Sequence, residues 1–162
     1  MNPRPMFWLS IAFCLTIPSA AHASEKPAES QSANVHAPHG ELAPRYRVTG
    51  VRASSTLATE IHCTNLEAAP LDLYADFYQF DGSHVCTTFS TIAPGGTRTL
   101  ATAGSNAFAE DYTCTVAPSI GQGSAHISVG TVGAKFICSA EIVSIADDPP
   151  TTLGALDIWP AN

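Results

Sequence analysis

From residue 46 onward, the sequence consists of short runs in which apolar and polar residues alternate, with turn residues between the runs. A period of two is the pattern of a strand that buries one face. The pattern predicts strands over 46–52, 56–64, 71–80, 84–92, 97–102, 112–116, 124–129, 135–145 and 155–159. A single helical turn is predicted only at 105–110. The chain is therefore predicted to be all-β, an immunoglobulin-like sandwich of two sheets with about eight or nine short strands.

The turns between these runs have suitable chemistry. The triplet D-G-S at 81–83 suits a tight hairpin, and A-P-G-G at 93–96 places proline and glycine where a chain reversal needs them. The sequence D-D-P-P at 147–150 ends the last long strand, because proline cannot join a β-ladder. Both the strands and their connections therefore favour the same fold class.

The first 23 residues have the form of a signal peptide. Arg4 provides the positive start, 6–17 is an apolar run, and A-H-A at 21–23 has the small-x-small form of a cleavage site. The apolar run is shorter than the roughly 20 residues of a membrane-spanning helix. Ser24 stands where a lipoprotein has a cysteine. We therefore expect an exported protein, periplasmic or extracellular, with no membrane insertion once the leader is removed.

Behind the leader, 24–44 is rich in proline, serine, alanine and charge and has almost no large apolar residue. Such a segment cannot bury enough surface to offset the entropy of ordering it, so we predict a disordered tail or linker. The β-sandwich domain is predicted over 45–162. Without Arg4, six basic residues remain against fourteen acidic ones, a formal net charge of −8. This charge repels phosphate backbones, so no nucleic-acid partner is expected.

Four cysteines follow the leader: Cys63, Cys86, Cys114 and Cys138. An even number in an oxidising compartment predicts two disulfides, with three possible connectivities. No two of them lie within twenty residues of each other, so the close pairs of a zinc site are missing. Cys63 and Cys138 each share a strand face with apolar residues. This favours a bridge between them across the core and leaves Cys86 with Cys114, although spacing alone keeps the other two pairings open.

Five segments carry a resemblance, in this order: I-H-C-T-N at 61–65, I-A-P-G-G-T-R-T-L-A-T at 92–102, G-S-A-H-I at 123–127, F-I-C-S-A-E-I-V at 136–143 and D-D-P-P-T-T-L-G-A-L-D-I at 147–158. From about residue 47 to residue 158, the chain resembles a loosely defined group of small exported bacterial domains of unknown function. The resemblance implies a β-sandwich and export. It also implies that Cys63 pairs with Cys138, at recurring positions of the group, while Cys86 and Cys114 are an added pair. It implies no catalytic residues.

The strand at 71–80 raises the question most relevant to function. One face is apolar, and the other carries Asp72, Tyr74, Asp76, Tyr78 and Phe80. Planar rings can stack on sugars while carboxylates accept hydroxyl hydrogen bonds, and tyrosine is also enriched at protein interfaces. Cross-strand pairing, for instance of Phe80 with His84, or coverage by a loop or the tail explains the rings without a ligand. These five residues are therefore a candidate ligand-binding surface for a protein or a glycan.

The candidate metal ligands in the sequence are three histidines near its N-terminus. His36 and His39 lie three residues apart in the predicted tail, and imidazoles bind copper or zinc. His22 becomes an N-terminal copper ligand only if cleavage occurs after Ala21 rather than Ala23. Holding such ligands in a flexible segment costs entropy, so we expect a solvated tail, no cofactor and no metal site.

Catalytic motifs are also missing from the sequence, which contains no G-x-S-x-G, H-E-x-x-H, P-loop or G-x-G-x-x-G motif. Ser124 and His126 share a predicted strand face, but no third orienting residue can be named. The sequence therefore predicts a non-enzymatic binding or surface-interaction module with an unidentified protein or glycan partner. The alternatives are a carbohydrate-binding module that uses the aromatic residues, and a copper-binding protein or copper-dependent enzyme that uses the tail histidines.

Overall fold

The structure is a computed structural model, and it describes residue 42 and residues 44–104, 111–114 and 119–161. The described residues form ten strands and no helix: β1 Pro44–Ala53, β2 Leu57–Asn65, β3 Leu71–Gln79, β4 His84–Ile92, β5 Thr97–Ala101, β6 Asp111–Thr113, β7 Ile120–Val129, β8 Phe136–Ser144, β9 Thr151–Leu156 and β10 Ile158–Pro160. The predicted all-β fold is confirmed. In this part of the chain no helix is long and apolar enough to cross a membrane. The predicted leader, most of the predicted tail and the helical turn at 105–110 lie outside the described residues.

The strands form two five-stranded sheets. Sheet A has the order β10-β1-β7-β3-β4, and sheet B has the order β6-β5-β2-β8-β9. Neighbouring strands are antiparallel except β5 and β6, which are parallel. In the constant-type immunoglobulin domain the first two strands share a sheet, whereas here β1 and β2 lie in different sheets. The predicted sandwich is therefore confirmed, and its immunoglobulin-like detail is not.

The core lies between the sheets and is built from alternate residues of their strands. In β3, Leu71, Leu73, Ala75 and Phe77 point inward and are almost fully buried. Other large apolar side chains that are fully buried are Val48, Val51, Ile61, Ile92, Leu100 and Ile127. Burial of one such side chain contributes about 1.5–3 kcal/mol. This layer fixes which residues of each strand face outward.

Both turns predicted from the sequence are present. Between β3 and β4, the Asp81 carboxylate accepts hydrogen bonds from the hydroxyl and the peptide N–H of Ser83, at 2.7 and 2.9 Å. Both bonds lower the pKa of Asp81, and the bond from the Ser83 hydroxyl has the larger effect. Gly82 and Gly95 have φ angles of 81° and 69°, which favour glycine at these positions. The turn at Gly95 leads the chain from β4 in sheet A to β5 in sheet B.

The disulfides have the favoured connectivity, Cys63–Cys138 and Cys86–Cys114. The expectation that the first bridge crosses the core is wrong. Cys63 and Cys138 lie directly opposite each other in neighbouring strands, with their Cα atoms 4.2 Å apart, so this bridge lies within sheet B. The second bridge joins the sheets, because Cys86 lies in β4 and Cys114 follows β6. The alternation along a strand predicts which face a cysteine lies on. It does not predict which strand lies beside that cysteine.

The predicted strand at 155–159 consists of parts of two strands. β9 pairs with β8 in sheet B, and β10 pairs with β1 in sheet A. Asp157 lies between them, and its carbonyl accepts a hydrogen bond from the Thr49 N–H at 3.4 Å. The chain changes sheet here, as strands do at the corners of sandwiches. Leu156 and Ile158 both pack against the core, so the alternation continues across the corner and conceals it.

Candidate functional site

The outer face of sheet A carries most of the predicted ligand-binding residues. In β3, Asp72, Tyr74, Asp76 and Tyr78 alternate with the inward-facing residues, so the structure brings these four together. Phe80 does not join them, because β3 ends one residue earlier and Phe80 lies in the hairpin turn, 80% exposed. We call the outer face of sheet A the aromatic face.

The rings of the aromatic face pack against one another across strands. Tyr74 lies opposite Phe89 of β4, with ring centroids 4.8 Å apart. Tyr78 lies between His126 of β7 and His84 of β4, at centroid distances of 4.7 and 5.4 Å. Pairs of this kind stabilise antiparallel sheets without any ligand. The rings therefore form two packed groups, one around Tyr74 and one around Tyr78, whose geometry is fixed by the sheet.

His84 packs on Tyr78 and not on Phe80, the partner suggested by the sequence. The β3–β4 register shifts between Phe77 and Tyr78, and this shift places Tyr78 opposite His84. An irregularity of this kind changes which side chains meet across a hairpin. The correct partner therefore could not be found by counting back from the turn.

The two carboxylates of β3 are engaged within the sheet. Asp72 accepts a hydrogen bond from the Thr91 hydroxyl at 2.6 Å, and Asp76 accepts one from the Thr87 hydroxyl at 2.5 Å. Asp76 is also buried. Burial raises the pKa of Tyr78, and the negative charge of Asp76 raises it further. The carboxylates therefore orient neighbouring side chains and have less capacity left for a ligand.

The aromatic face continues across sheet A to its far edge. Asp76 lies opposite His126, His126 opposite Arg47 of β1, and Arg47 opposite Trp159 of β10. Trp159 is 59% exposed, and Phe89 on the other edge strand is 43% exposed. The pKa of His126 is lowered, mainly by burial and to a smaller extent by the positive charge of Arg47. The negative charge of Asp76 opposes this shift. The face thus combines exposed rings with a neutral imidazole and a cation.

Ser124 and His126 share the aromatic face, as their spacing predicts. The residue opposite His126 is Asp76, which the sequence indicated as a ligand-binding candidate but not as a neighbour of this histidine. Among the residues that the structure describes, no hydrogen bond joins Ser124, His126 and Asp76, and the Asp76 carboxylate binds Thr87 instead. A triad needs its base bonded to both nucleophile and orienting acid. The described geometry gives no support to hydrolytic catalysis.

The outer face of sheet B holds a second cluster, which the sequence analysis missed. In β2, Ile61 and Cys63 point into the core, so Glu60 and His62 point outward. Glu60 lies directly opposite Glu141 of β8. The His62 Nε2 is 3.1 Å from a Glu141 oxygen and 3.9 Å from a Glu60 oxygen. We call Glu60, His62 and Glu141 the carboxylate–histidine cluster.

Two further features define the carboxylate–histidine cluster. The Glu60 side chain is fully buried although it lies on an outward face, while those of His62 and Glu141 are 19% and 22% exposed. The second ring nitrogen of His62, Nδ1, is 3.0 Å from the hydroxyl of the buried Thr99 in β5. The imidazole is therefore held in one orientation, with its Nε2 directed at the carboxylates.

The sequence contained only a weak signal for this cluster. Glu60 and His62 are two apart in a predicted strand, so their shared face could be inferred. Glu141 is far along the chain, and only the β2–β8 register brings it opposite Glu60. The predicted metal candidates His22, His36 and His39 lie outside the described residues.

A groove of about 570 Å³ lies at the end of the sandwich where β1 begins and β10 ends. Arg45 and Lys135 are among its lining residues. Its wall is fixed by Tyr46, whose hydroxyl donates to the Phe136 carbonyl at 3.2 Å. The Tyr46 and Phe136 rings also pack edge to face at 5.1 Å. The groove contains none of the predicted site residues.

Comparisons of this chain with protein-family models, with curated proteins and with solved structures find no match. The resemblance to small exported bacterial domains therefore stays a prediction.

Proposed function

We propose that this protein is an exported, non-enzymatic binding module that holds a protein partner on its aromatic face. The observation that supports the proposal is that Phe89 and Trp159 are exposed on opposite edge strands of one face, with Tyr74, Tyr78 and Arg47 between them. Five strands at about 4.8 Å spacing make this face roughly 19 Å wide. Tyrosine, tryptophan and arginine are the residue types enriched at interaction hot spots.

Charge indicates the chemistry of the partner. The chain is acidic, with a formal net charge of −7, yet Arg45 and Arg47 are exposed on β1, and Arg47 lies opposite Trp159. A partner with acidic side chains opposite β1 is attracted to this strand, whereas the remaining surface repels it. We therefore propose a protein partner whose contact surface is acidic.

Export is part of the proposal and rests on the leader-like N-terminus. The two disulfides fit an oxidising environment. Two bridges also stabilise the fold that presents the interface.

A glycan is the second candidate partner. The observation that favours it is Phe80, an isolated and highly exposed ring beside a depression of about 270 Å³ lined by Gln79, Gln122 and Ser124. A planar ring with adjacent amide and hydroxyl groups suits a sugar. Against it, Asp72 and Asp76 already accept threonine hydroxyls.

The test uses the mature protein as bait in the exported fraction of its own organism. Wild type is compared with Trp159→Ala, Phe89→Ala and the control Leu153→Ala, an apolar residue of sheet B that is as exposed as Trp159. A specific partner is recovered by wild type and the control, and its affinity falls about 30-fold or more with each aromatic-face variant. Equal recovery by all four proteins contradicts the proposal. If wild type binds a glycan array and Phe80→Ala does not, the partner is a glycan and not a protein.

A further inference from the structure

The centre of sheet B presents an electrostatic conflict. Glu60 and Glu141 are cross-strand neighbours on the same outward face, and like charges in this position destabilise a sheet. Glu60 is also fully buried, and a buried carboxylate is costly unless it is paired or bound to a metal. Positive charge near both carboxylates therefore favours this arrangement.

The three side chains are spaced as the ligands of a metal ion. One donor atom from each of Glu60, His62 and Glu141 lies within 4.8 Å of the others. The His62 Nε2 is 3.1 and 3.9 Å from the two carboxylate oxygens. Bonds of about 2.0–2.2 Å to a tetrahedral zinc ion place ligand atoms roughly 3.4 Å apart. The two histidine-to-carboxylate distances differ from this spacing by about 0.3 and 0.5 Å, so small side-chain movements bring His62 and each carboxylate to coordination spacing.

Thr99 supports the same conclusion. The Thr99 hydroxyl, 3.0 Å from Nδ1, can accept the Nδ1–H when Nε2 binds a metal, and the Nε2 lone pair is then directed at the ion between the carboxylates. Metal-bound histidines usually donate their other ring N–H to such a neighbour, which fixes the tautomer and the ring orientation. Thr99 lies directly opposite His62 in the β2–β5 ladder, so the backbone holds this contact in place.

We propose that the carboxylate–histidine cluster binds a divalent transition-metal cation, for which Zn²⁺ is the probe. One imidazole nitrogen and two carboxylate oxygens suit Zn²⁺, whereas Mg²⁺ and Ca²⁺ prefer oxygen ligands alone. His62 and Glu141 are partly exposed, so a water can complete the coordination from the solvent side. The ion links β2 to β8, the two strands that the Cys63–Cys138 bridge also joins. This site is independent of the proposed partner surface.

The opposing explanation is that protonated His62 alone neutralises the carboxylates as an ion-pair cluster. Titration calorimetry of ZnCl₂ into mature, untagged protein freed of metal by a chelator separates the two. The expected result is one equivalent of zinc bound. Glu141→Gln and His62→Gln each lower the affinity at least about tenfold, and Thr99→Val lowers it about 10- to 100-fold while one equivalent still binds. Circular dichroism confirms that each variant is folded.

The matched control is His84→Gln, which removes an imidazole lying 3.6 Å from the Asp76 carboxylate on sheet A. Zinc affinity is expected to stay unchanged in this variant. The proposal is overturned by no saturable uptake up to about 1 mM zinc, or by His62→Gln binding as tightly as wild type. It is also overturned if only a variant lacking His36 and His39 loses binding, because the ion then belongs to the tail.

Discussion

The outer faces of the two sheets both place histidine beside carboxylate, but they neutralise the acid in different ways. On the aromatic face, Asp76 accepts a threonine hydroxyl, and burial helps to keep His126 neutral. In the carboxylate–histidine cluster, two carboxylates face each other around one imidazole. The first face is satisfied by its own side chains and leaves rings exposed for a partner. The second concentrates negative charge and attracts a cation.

The largest effect is expected from the bridge beneath the carboxylate–histidine cluster. Replacing Cys63 and Cys138 by alanine removes a cross-link over 75 residues, which costs about 4.5 kcal/mol by chain entropy. Replacing Cys86 and Cys114, 28 residues apart, costs about 3.6 kcal/mol. Urea unfolding of the two double variants measures both losses. If the variant without the inter-sheet bridge loses more unfolding free energy, the contact between the sheets, and not the loop length, determines how much a bridge stabilises the protein.

A smaller loss is expected on the aromatic face. Tyr74→Ala removes the cross-strand contact with Phe89 and lowers the free energy of unfolding by about 1 kcal/mol. Thermal unfolding measures the change, with Tyr112→Ala as a control at an exposed tyrosine of the short strand β6. If Tyr74→Ala costs no more than the control, the contact between Tyr74 and Phe89 does not stabilise the sheet.

An effect of opposite sign is expected in the carboxylate–histidine cluster. In a chelator, Glu60→Gln removes the like-charge pair with Glu141 and raises the free energy of unfolding by about 0.2–1 kcal/mol. With zinc present the order reverses, because wild type binds the ion more tightly than the variant and gains more stability from it. Denaturant titrations with and without zinc check both signs. A variant less stable than wild type in chelator shows that Glu60 is held by favourable pairing.

The smallest effect concerns pH on the aromatic face. The folded-state pKa of His126 lies below its usual 6.5, so the unfolded chain takes up this proton first as pH falls. Stability that is present above about pH 6.5 is therefore lost below it, by less than about 0.7 kcal/mol between pH 7 and pH 6. His126→Gln should flatten this part of the stability curve. The charged groups that face the His126 ring are Arg47 and Asp76. His84 contacts Tyr78, as His126 does, so His84→Gln is the matched comparison.

Much of the fold follows from local sequence pattern. Alternation identified both faces of β3 and the inward side of Cys63, and the turn at Gly82 follows from its neighbours. The corner at Asp157 was missed because Leu156 and Ile158 keep the alternation while the chain changes sheet. A local pattern records which way a side chain points, not which strand lies beside it.

The candidate sites show the same limit more clearly. Tyr74 and Tyr78 were found because they stand in one strand. Trp159 and Arg47 join them only through the order of strands in sheet A, and Glu141 meets Glu60 only through the β2–β8 register. The burial of Glu60 on an outward face follows from no periodicity, since an alternating strand predicts exposure there. Long-range pairing therefore decides both surfaces.

The most direct test of the contrast between the two sheets is an anomalous difference map at the zinc edge from crystals of the mature protein grown with zinc. We predict one peak bonded to Glu60, His62 and Glu141, and none at the His84–Asp76 pair of the aromatic face. A peak at His84 and Asp76, or an empty carboxylate–histidine cluster in those crystals, would contradict the account.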